Sequence, residues 1–129
     1  MPLVRIDLRE GKPAAYRRAV ADAVHTAMVD IIGIPEADRF QVISEHGPEG
    51  LVYAPAYLGI TRDDDVVLVQ ITISAGRAVE LKRELYERIV TLLEARPGIR
   101  RGNVFVNLLE VSRENWSFGD GIAQYAVER

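Results

Sequence analysis

Two strand–helix–strand units in tandem, joined in one four-stranded mixed sheet with both helices on one face, are what this sequence predicts: an α+β fold. Three observations carry that expectation. The chain aligns with itself without a gap at a shift of 65 positions. Each copy passes from a period of two to a helical period and back. Glycines fall at corresponding element boundaries in both copies. Over positions 3–45 the shift matches ten identical pairs, among them Leu3/Leu68, Ile6/Ile71, Gly11/Gly76, Gly33/Gly98 and Phe40/Phe105. Repeats of this kind are single supersecondary units that bury their apolar faces against each other. The predicted organisation is one domain over 1–129, with repeat one at 2–46, a linker at 47–65, repeat two at 66–111 and a tail at 112–129.

Leu3–Leu8 alternates, with Val4, Ile6 and Leu8 on one face and Arg5 and Asp7 on the other, and it stops at Gly11. Val20, Val24, Ala27, Met28 and Ile31 then recur at helical spacing, with Pro13 suited to the helix start and Gly33 to its end. Arg39–Glu45 closes the first copy as a strand. In the second copy Val66–Ser74 alternates and stops at Gly76; Leu81, Leu85, Ile89, Leu92 and Leu93 mark the helix; Pro97-Gly98 ends it; Val104–Val111 is the closing strand. The linker is too long for a simple turn and suits a short strand of its own. Gly119-Asp120-Gly121 predicts a small hairpin in the tail. A strand–helix–strand unit within one sheet is parallel and right-handed. The face away from the helices is expected to carry Arg5, Asp7, Gln70 and Thr72 beside Leu68, Val106 and Leu108. That face is too apolar to be wholly wet, so a second subunit is expected to cover part of it.

Composition narrows the function. The chain has 129 residues, enough for one real core, and its 16 basic and 19 acidic side chains leave a net charge of −3. No basic excess points to nucleic acid or an anionic membrane surface. The absence of cysteine excludes disulfides, thiolate nucleophiles and Cys-ligated zinc. Nothing approaches the ~20 apolar residues needed to span a bilayer, nor the apolar run of a signal peptide, so a cytoplasmic setting is expected.

If the two copies are related by a two-fold axis, the starts of the first and second strands meet the ends of the third and fourth. Pro2, Asp38-Arg39, Gly76-Arg77 and Trp116-Ser117-Phe118 then converge. Initiator methionine is removed ahead of a small residue, which would leave Pro2 as a free secondary amine. Burial and neighbouring charge tune such an amine as base or acid. Arg77 favours its neutral form and Asp38 its cationic form. Arg77 is also placed at the start of the second helix, where a cation opposes the helix dipole.

The residues at these positions, with those around them, resemble a known family. Met1-Pro2-Leu3, Asp38-Arg39-Phe40-Gln41 leading to Glu45-His46, Leu58-Gly59, Ala75-Gly76-Arg77 and the run from Asn115-Trp116-Ser117-Phe118-Gly119 to Tyr125 together resemble the tautomerase superfamily, most nearly its malonate semialdehyde decarboxylase-like branch. The resemblance covers nearly the whole chain. It implies a homotrimer of duplicated β-α-β subunits, a small keto or enol acid as substrate, and no metal or organic cofactor. Residue by residue, it implies Pro2 as the catalytic amine, Asp38 as the carboxylate that orients or activates water, and Arg77 as the group binding the substrate carboxylate, a task that suits guanidinium geometry. Trp116 and Phe118 would form the aromatic wall. The decarboxylase form carries two arginines one residue apart in the turn after the third strand; here Ser74-Ala75-Gly76-Arg77 holds one. A second cation would have to come from elsewhere, with Arg39 the candidate.

Other residues have plainer readings. Asp63-Asp64-Asp65 is more often solvated charge than a metal site, His25 and His46 are more often structural than chemical, and Tyr53, Tyr57 and Tyr125 are packing residues with polar tips. Two rival functions remain open at this point: a non-enzymatic trimer binding a small ligand or protein, and a dimeric ferredoxin-like binding module. The latter gives no reason for Pro2, Asp38 and Arg77 to converge.

Overall fold

The computed structural model describes residues 1–126. In chain order the main elements are β1 (Leu3–Arg9), α1 (Ala14–Ala27), β2 (Gln41–His46), β3 (Ala56–Tyr57), β4 (Ile60–Thr61), β5 (Val67–Ser74), α2 (Val79–Ala95) and β6 (Val104–Val111). The large sheet has the order β2-β1-β5-β6. β1 runs parallel to β2, β5 parallel to β6, and the two copies meet antiparallel at β1 and β5. Val4 lies opposite Gln41 and Val69 opposite Val106, so the parallel pairing has the same offset in both copies.

Alternation explains the core. Val4, Ile6 and Leu8 of β1, with Val67, Val69, Ile71 and Ile73 of β5, point to the helices and are buried against Val20 and Val24 of α1 and Leu85, Ile89 and Leu93 of α2. Each such side chain contributes roughly 1.5–3 kcal/mol by leaving water. α1 runs on through one π-type turn, Met28–Ile32, and stops at Gly33, whose φ of +80° gives the left-handed cap that glycine adopts without a Cβ clash. α2 stops at Ala95, two residues before Pro97, as the steric demand of proline on its predecessor requires.

Four expectations change. Val106 and Leu108 pack against the helix-side core, whereas Phe105 and Leu109 are the exposed apolar residues of β6. The run Val104–Val111 is apolar on both faces, so its own alternation cannot fix its parity; the pairing of Val69 with Val106 does. β2 starts at Gln41 rather than Arg39, and the Gln41 amide donates to the Ala21 carbonyl at 2.8 Å. Arg77 lies ahead of α2 rather than in its first turn. Residues 112–126 form two 3₁₀ turns, Arg113–Asn115 and Gln124–Ala126, and no strand among the described residues. In place of a hairpin, the Gln124 side chain accepts from the Phe118 N–H at 3.0 Å and donates to the Gly119 carbonyl at 3.2 Å.

The linker does carry strands: β3 and β4 form a two-residue hairpin on Leu58-Gly59, both at positive φ, the backbone of a type I′ turn. The Asp63–Asp65 run tethers it. Asp63 accepts from the Asn103 amide at 2.8 Å, Asp64 from the Tyr53 hydroxyl at 2.7 Å, and Asp65 pairs with Lys12 at 2.7 Å. No helix among the described residues is long and apolar enough to cross a membrane.

Ile71 is fully buried at the centre of β5, between Val4 and Leu108. Ile71→Ala should lower the unfolding free energy by about 2–5 kcal/mol in urea denaturation at fixed protein concentration. A loss under about 1 kcal/mol would show that this position is not the packing centre described.

Candidate active site

Because β1 and β5 are antiparallel, the start of β1 and the end of β5 lie at one end of the sheet. Leu3 pairs with Thr72, and Ser74 pairs with Val111 of β6. Pro2 is buried there. A pocket of about 210 Å³ opens over it, lined by Pro2, Leu3, Phe40, Trp116, Ser117 and Phe118. A larger depression of about 390 Å³ lies at the opposite end, but Arg9, Lys12 and His46 in its lining are each paired to a carboxylate. The smaller pocket is the one with the buried Pro2 in its lining.

Three aromatic rings build one wall. Trp116 stacks on Phe118 with centroids 5.4 Å apart and planes 12° apart, and Phe118 meets the edge of Tyr125 at 5.0 Å. Trp116 is fixed at its polar end by Nε1–H donating to Ser74 Oγ at 3.1 Å. The Ser74 carbonyl accepts from Arg77 Nη1 at 2.6 Å, so one residue at the end of β5 anchors both the aromatic wall and the guanidinium.

Asp38 sits on the loop entering β2. Its N–H donates to the Pro35 carbonyl at 2.9 Å, and its Oδ2 is buried without a hydrogen-bond partner. A carboxylate oxygen left bare in this way is costly unless something donates to it, and such orphaned groups concentrate at functional sites. The same loop is held from below by buried His25, whose Nε2 lies 2.8 Å from the Glu36 carbonyl. A carbonyl only accepts, so this nitrogen carries the proton and His25 is structural.

The charges act on one another at the chain start. With Met1 in place, its amine is held below the ordinary range of a chain terminus, chiefly by burial. Asp38 opposes that shift, while Arg77 and Arg113 reinforce it. Tyr125 is pushed up by burial and by Asp38, with Arg113 opposing. Pro2, Asp38, Arg77, Trp116 and Phe118 are therefore brought together as expected. Arg39 is not: its Nη2 lies 2.6 Å from Asp22 of α1 and its Nε donates to Gln41 at 2.9 Å, which ties it to the helix side of the sheet. His46 pairs with Asp7 at 2.6 Å towards the other end of the sheet. Arg113 and Tyr125 join the site without a local signal in the sequence; the guanidinium lies over the ring at 4.9 Å. Among the described residues no cluster of three or more His, Asp or Glu side chains could hold a metal ion.

Ser74→Ala should leave the Trp116 indole N–H without its protein acceptor. The expected results are a loss of about 1 kcal/mol in stability and a red shift of the emission of this single tryptophan. An unchanged spectrum would show that Ser74 does not hold the wall.

Comparison with known proteins gives the same picture at the scale of the whole chain. Two sequence profiles described as tautomerase enzymes match residues 38–119 and 2–60. A probable tautomerase of Bacillus subtilis (strain 168), YusQ, is 35% identical over 124 residues, covering 96% of this chain and 98% of that protein. The structure of FG41 malonate semialdehyde decarboxylase inhibited by 3-bromopropiolate is 40% identical and superposes with a TM-score of 0.89 over 95% of this chain and 93% of that one. A second malonate semialdehyde decarboxylase, whose structures address decarboxylase and hydratase activities, is 37% identical with a TM-score of 0.90 over 95% of each chain. A duplicated β-α-β fold with this end-of-sheet pocket, matched by sequence and by structure along its length, makes the chain a member of the tautomerase family, an enzyme of the tautomerase or decarboxylase type.

Proposed function

We propose that this enzyme interconverts the enol and keto forms of small acids without a cofactor, using the secondary amine of Pro2 once Met1 is removed. The observation that carries the reading is the burial of Pro2 under an aromatic pocket, with Asp38, Arg77 and Arg113 near enough to bear on the chain start. A neutral amine takes a proton from the carbon beside the carbonyl and returns it to the other end of the enol system, the role of a general base tuned near neutrality. Burial, with Arg77 and Arg113, lowers the Met1 amine while Asp38 opposes them, and a Pro2 amine freed by removal of Met1 would meet the same neighbours. Arg77 holds the substrate carboxylate. Trp116 and Phe118 exclude water from the exchanging proton. Asp38, with one bare oxygen, is placed to hold a water or a protonated group.

The likeness to two malonate semialdehyde decarboxylases supports a second reaction. In that reading a cationic Pro2 acts as acid, Arg77 polarises the carbonyl of a β-keto acid, and CO2 leaves; with Asp38 activating water, the same groups support hydration. The assembly in either case is a homotrimer. The sheet face that carries Phe105, Leu109 and Val42 is exposed and apolar, and the next copy would cover it.

The test is the ketonisation of phenylenolpyruvate followed by ultraviolet absorbance across pH 5–9. Pro2→Ala should lose about 10²–10⁴-fold in rate, the usual contribution of a positioned base. Equal rates in both proteins would remove the amine mechanism. Asp38→Asn removes the charge that favours the cation, so the amine pKa falls and the acid limb of kcat/KM moves to lower pH. A shift to higher pH would contradict the assignment of Asp38. Light scattering should give the mass of three chains, and a dimer would count against the assembly.

A further inference from the structure

Eight of the sixteen cationic side chains have a carboxylate partner among the described residues. Arg9, Lys12, Arg17, Arg39, Lys82, Arg88, Arg100 and Arg101 all have a carboxylate within 4.0 Å. Arg113 has none among the described residues, and neither has Arg77, yet both lie close enough to the chain start to act on the same amine. Their convergence follows from the sheet. The Ala75 N–H donates to the Val111 carbonyl at 2.9 Å, so β5 and β6 leave the sheet side by side. Arg77 comes off one strand three residues past Ser74, and Arg113 comes off the other two residues past Val111.

Arg113 is also oriented. Its guanidinium lies 4.9 Å over the Tyr125 ring, Tyr125 meets Phe118, and Phe118 stacks on Trp116, which is bonded to Ser74. The aromatic wall thus ends in a cation. Contacts of a guanidinium with a ring face leave its N–H edge free to donate. Two guanidinia with no ion-pair partner among the described residues thus lie beside one small pocket, with Asp38 and, for Arg77, Glu110 the carboxylates near enough to be felt, and their free N–H edges can take an anion. The pocket's 210 Å³ corresponds to about seven water-sized volumes at ~30 Å³ each, room for a short-chain diacid.

We propose that Arg113 is a specificity-determining residue: it binds the second carboxylate of a short substrate whose first carboxylate is held by Arg77, so that the enzyme prefers diacids over mono-acids. This inference deepens the Pro2 reading and rests on it for the chemistry, but not for the binding. Arg113 does not touch the transferred proton; it selects which acids are held in register with the amine.

Isothermal titration of malonate, succinate and propionate separates the two ideas, with Trp116 emission as a second readout. Wild type should bind the diacids more tightly than propionate. Arg113→Gln should weaken diacid binding about tenfold, the low end for a charge-assisted bond because the residue is exposed, and change propionate binding less than about twofold. Arg113→Lys, which keeps the charge, should recover most of the loss. Melting temperature and Trp116 emission of the free variants should match wild type, which a structural role for Arg113 would not allow. Equal weakening for mono-acid and diacids, unchanged diacid binding, or no diacid preference in wild type would each overturn the proposal. Pro2→Ala should bind the diacids as wild type does, so a failed amine mechanism and a failed Arg113 assignment give different results.

Discussion

The antiparallel ladder between β1 and β5 is the constraint on which the rest of this molecule depends. It joins the two copies at the middle of the sheet, so the two strands richest in buried side chains are neighbours and both helices share one apolar layer. The same ladder sets direction. It brings the start of the chain beside the end of β5, with Leu3 opposite Thr72, and thereby delivers Pro2, Arg77 and the segment after β6 to one place. A parallel arrangement of the copies would have put the chain start and Arg77 at opposite ends of the sheet.

The site is built from groups that the fold stabilises only in part. Ser74 satisfies the indole of Trp116 and one N–H of Arg77, and His25 steadies the loop below Asp38. What lies inward of these supports is left open: among the described residues one carboxylate oxygen of Asp38 has no donor, and Arg77 and Arg113 have no ion-pair partner. Elsewhere several surface charges pair, as with Lys12 and Asp65 or Lys82 and Glu110. A bare buried carboxylate oxygen beside guanidinia that bear on the same amine is the electrostatic mark of a site prepared for a charged ligand.

The sequence made much of this legible because duplication and alternation are local signals. The strand and helix order follow from period and glycine position; the meeting of Pro2 with Asp38, Arg77, Trp116 and Phe118 follows once the copies are taken as antiparallel, a relation that period alone does not fix and the pairing of β1 with β5 supplies. Arg39 misled because adjacency to Asp38 says nothing about which face a side chain takes; Asp22 on α1 was the stronger partner, and that contact spans 17 residues. Arg113 and Tyr125 carry no motif of their own and become neighbours only when the tail folds over the pocket. Val106 and Leu108 were misplaced because a strand apolar on both faces has no readable parity until its partner is known.

The repeat has two ends, and only one of them holds the chain start. Moving each site residue by the repeat distance of 65 positions places Val67 where Pro2 would be, Asn103 for Asp38, Lys12 for Arg77 and Leu51 for Trp116. Of these Lys12 lines the 390 Å³ depression at the far end, and Leu51 is tied to Arg9 of the same lining. There the twin of Arg77 is neutralised by Asp65, the twin of Asp38 is an amide bonded to Asp63, and Arg9, the twin of Ser74, donates to the Leu51 carbonyl at 3.0 Å. Where one end has a terminal amine, the other has an ordinary peptide running through Val66 into Val67. The far end is thus a silenced image of the near one, closed by chain continuity and by the acidic linker. Opening the backbone ahead of Val67 and linking residue 129 to residue 1 would exchange the two ends, giving a circular permutant with its free amine beside Lys12 rather than Arg77.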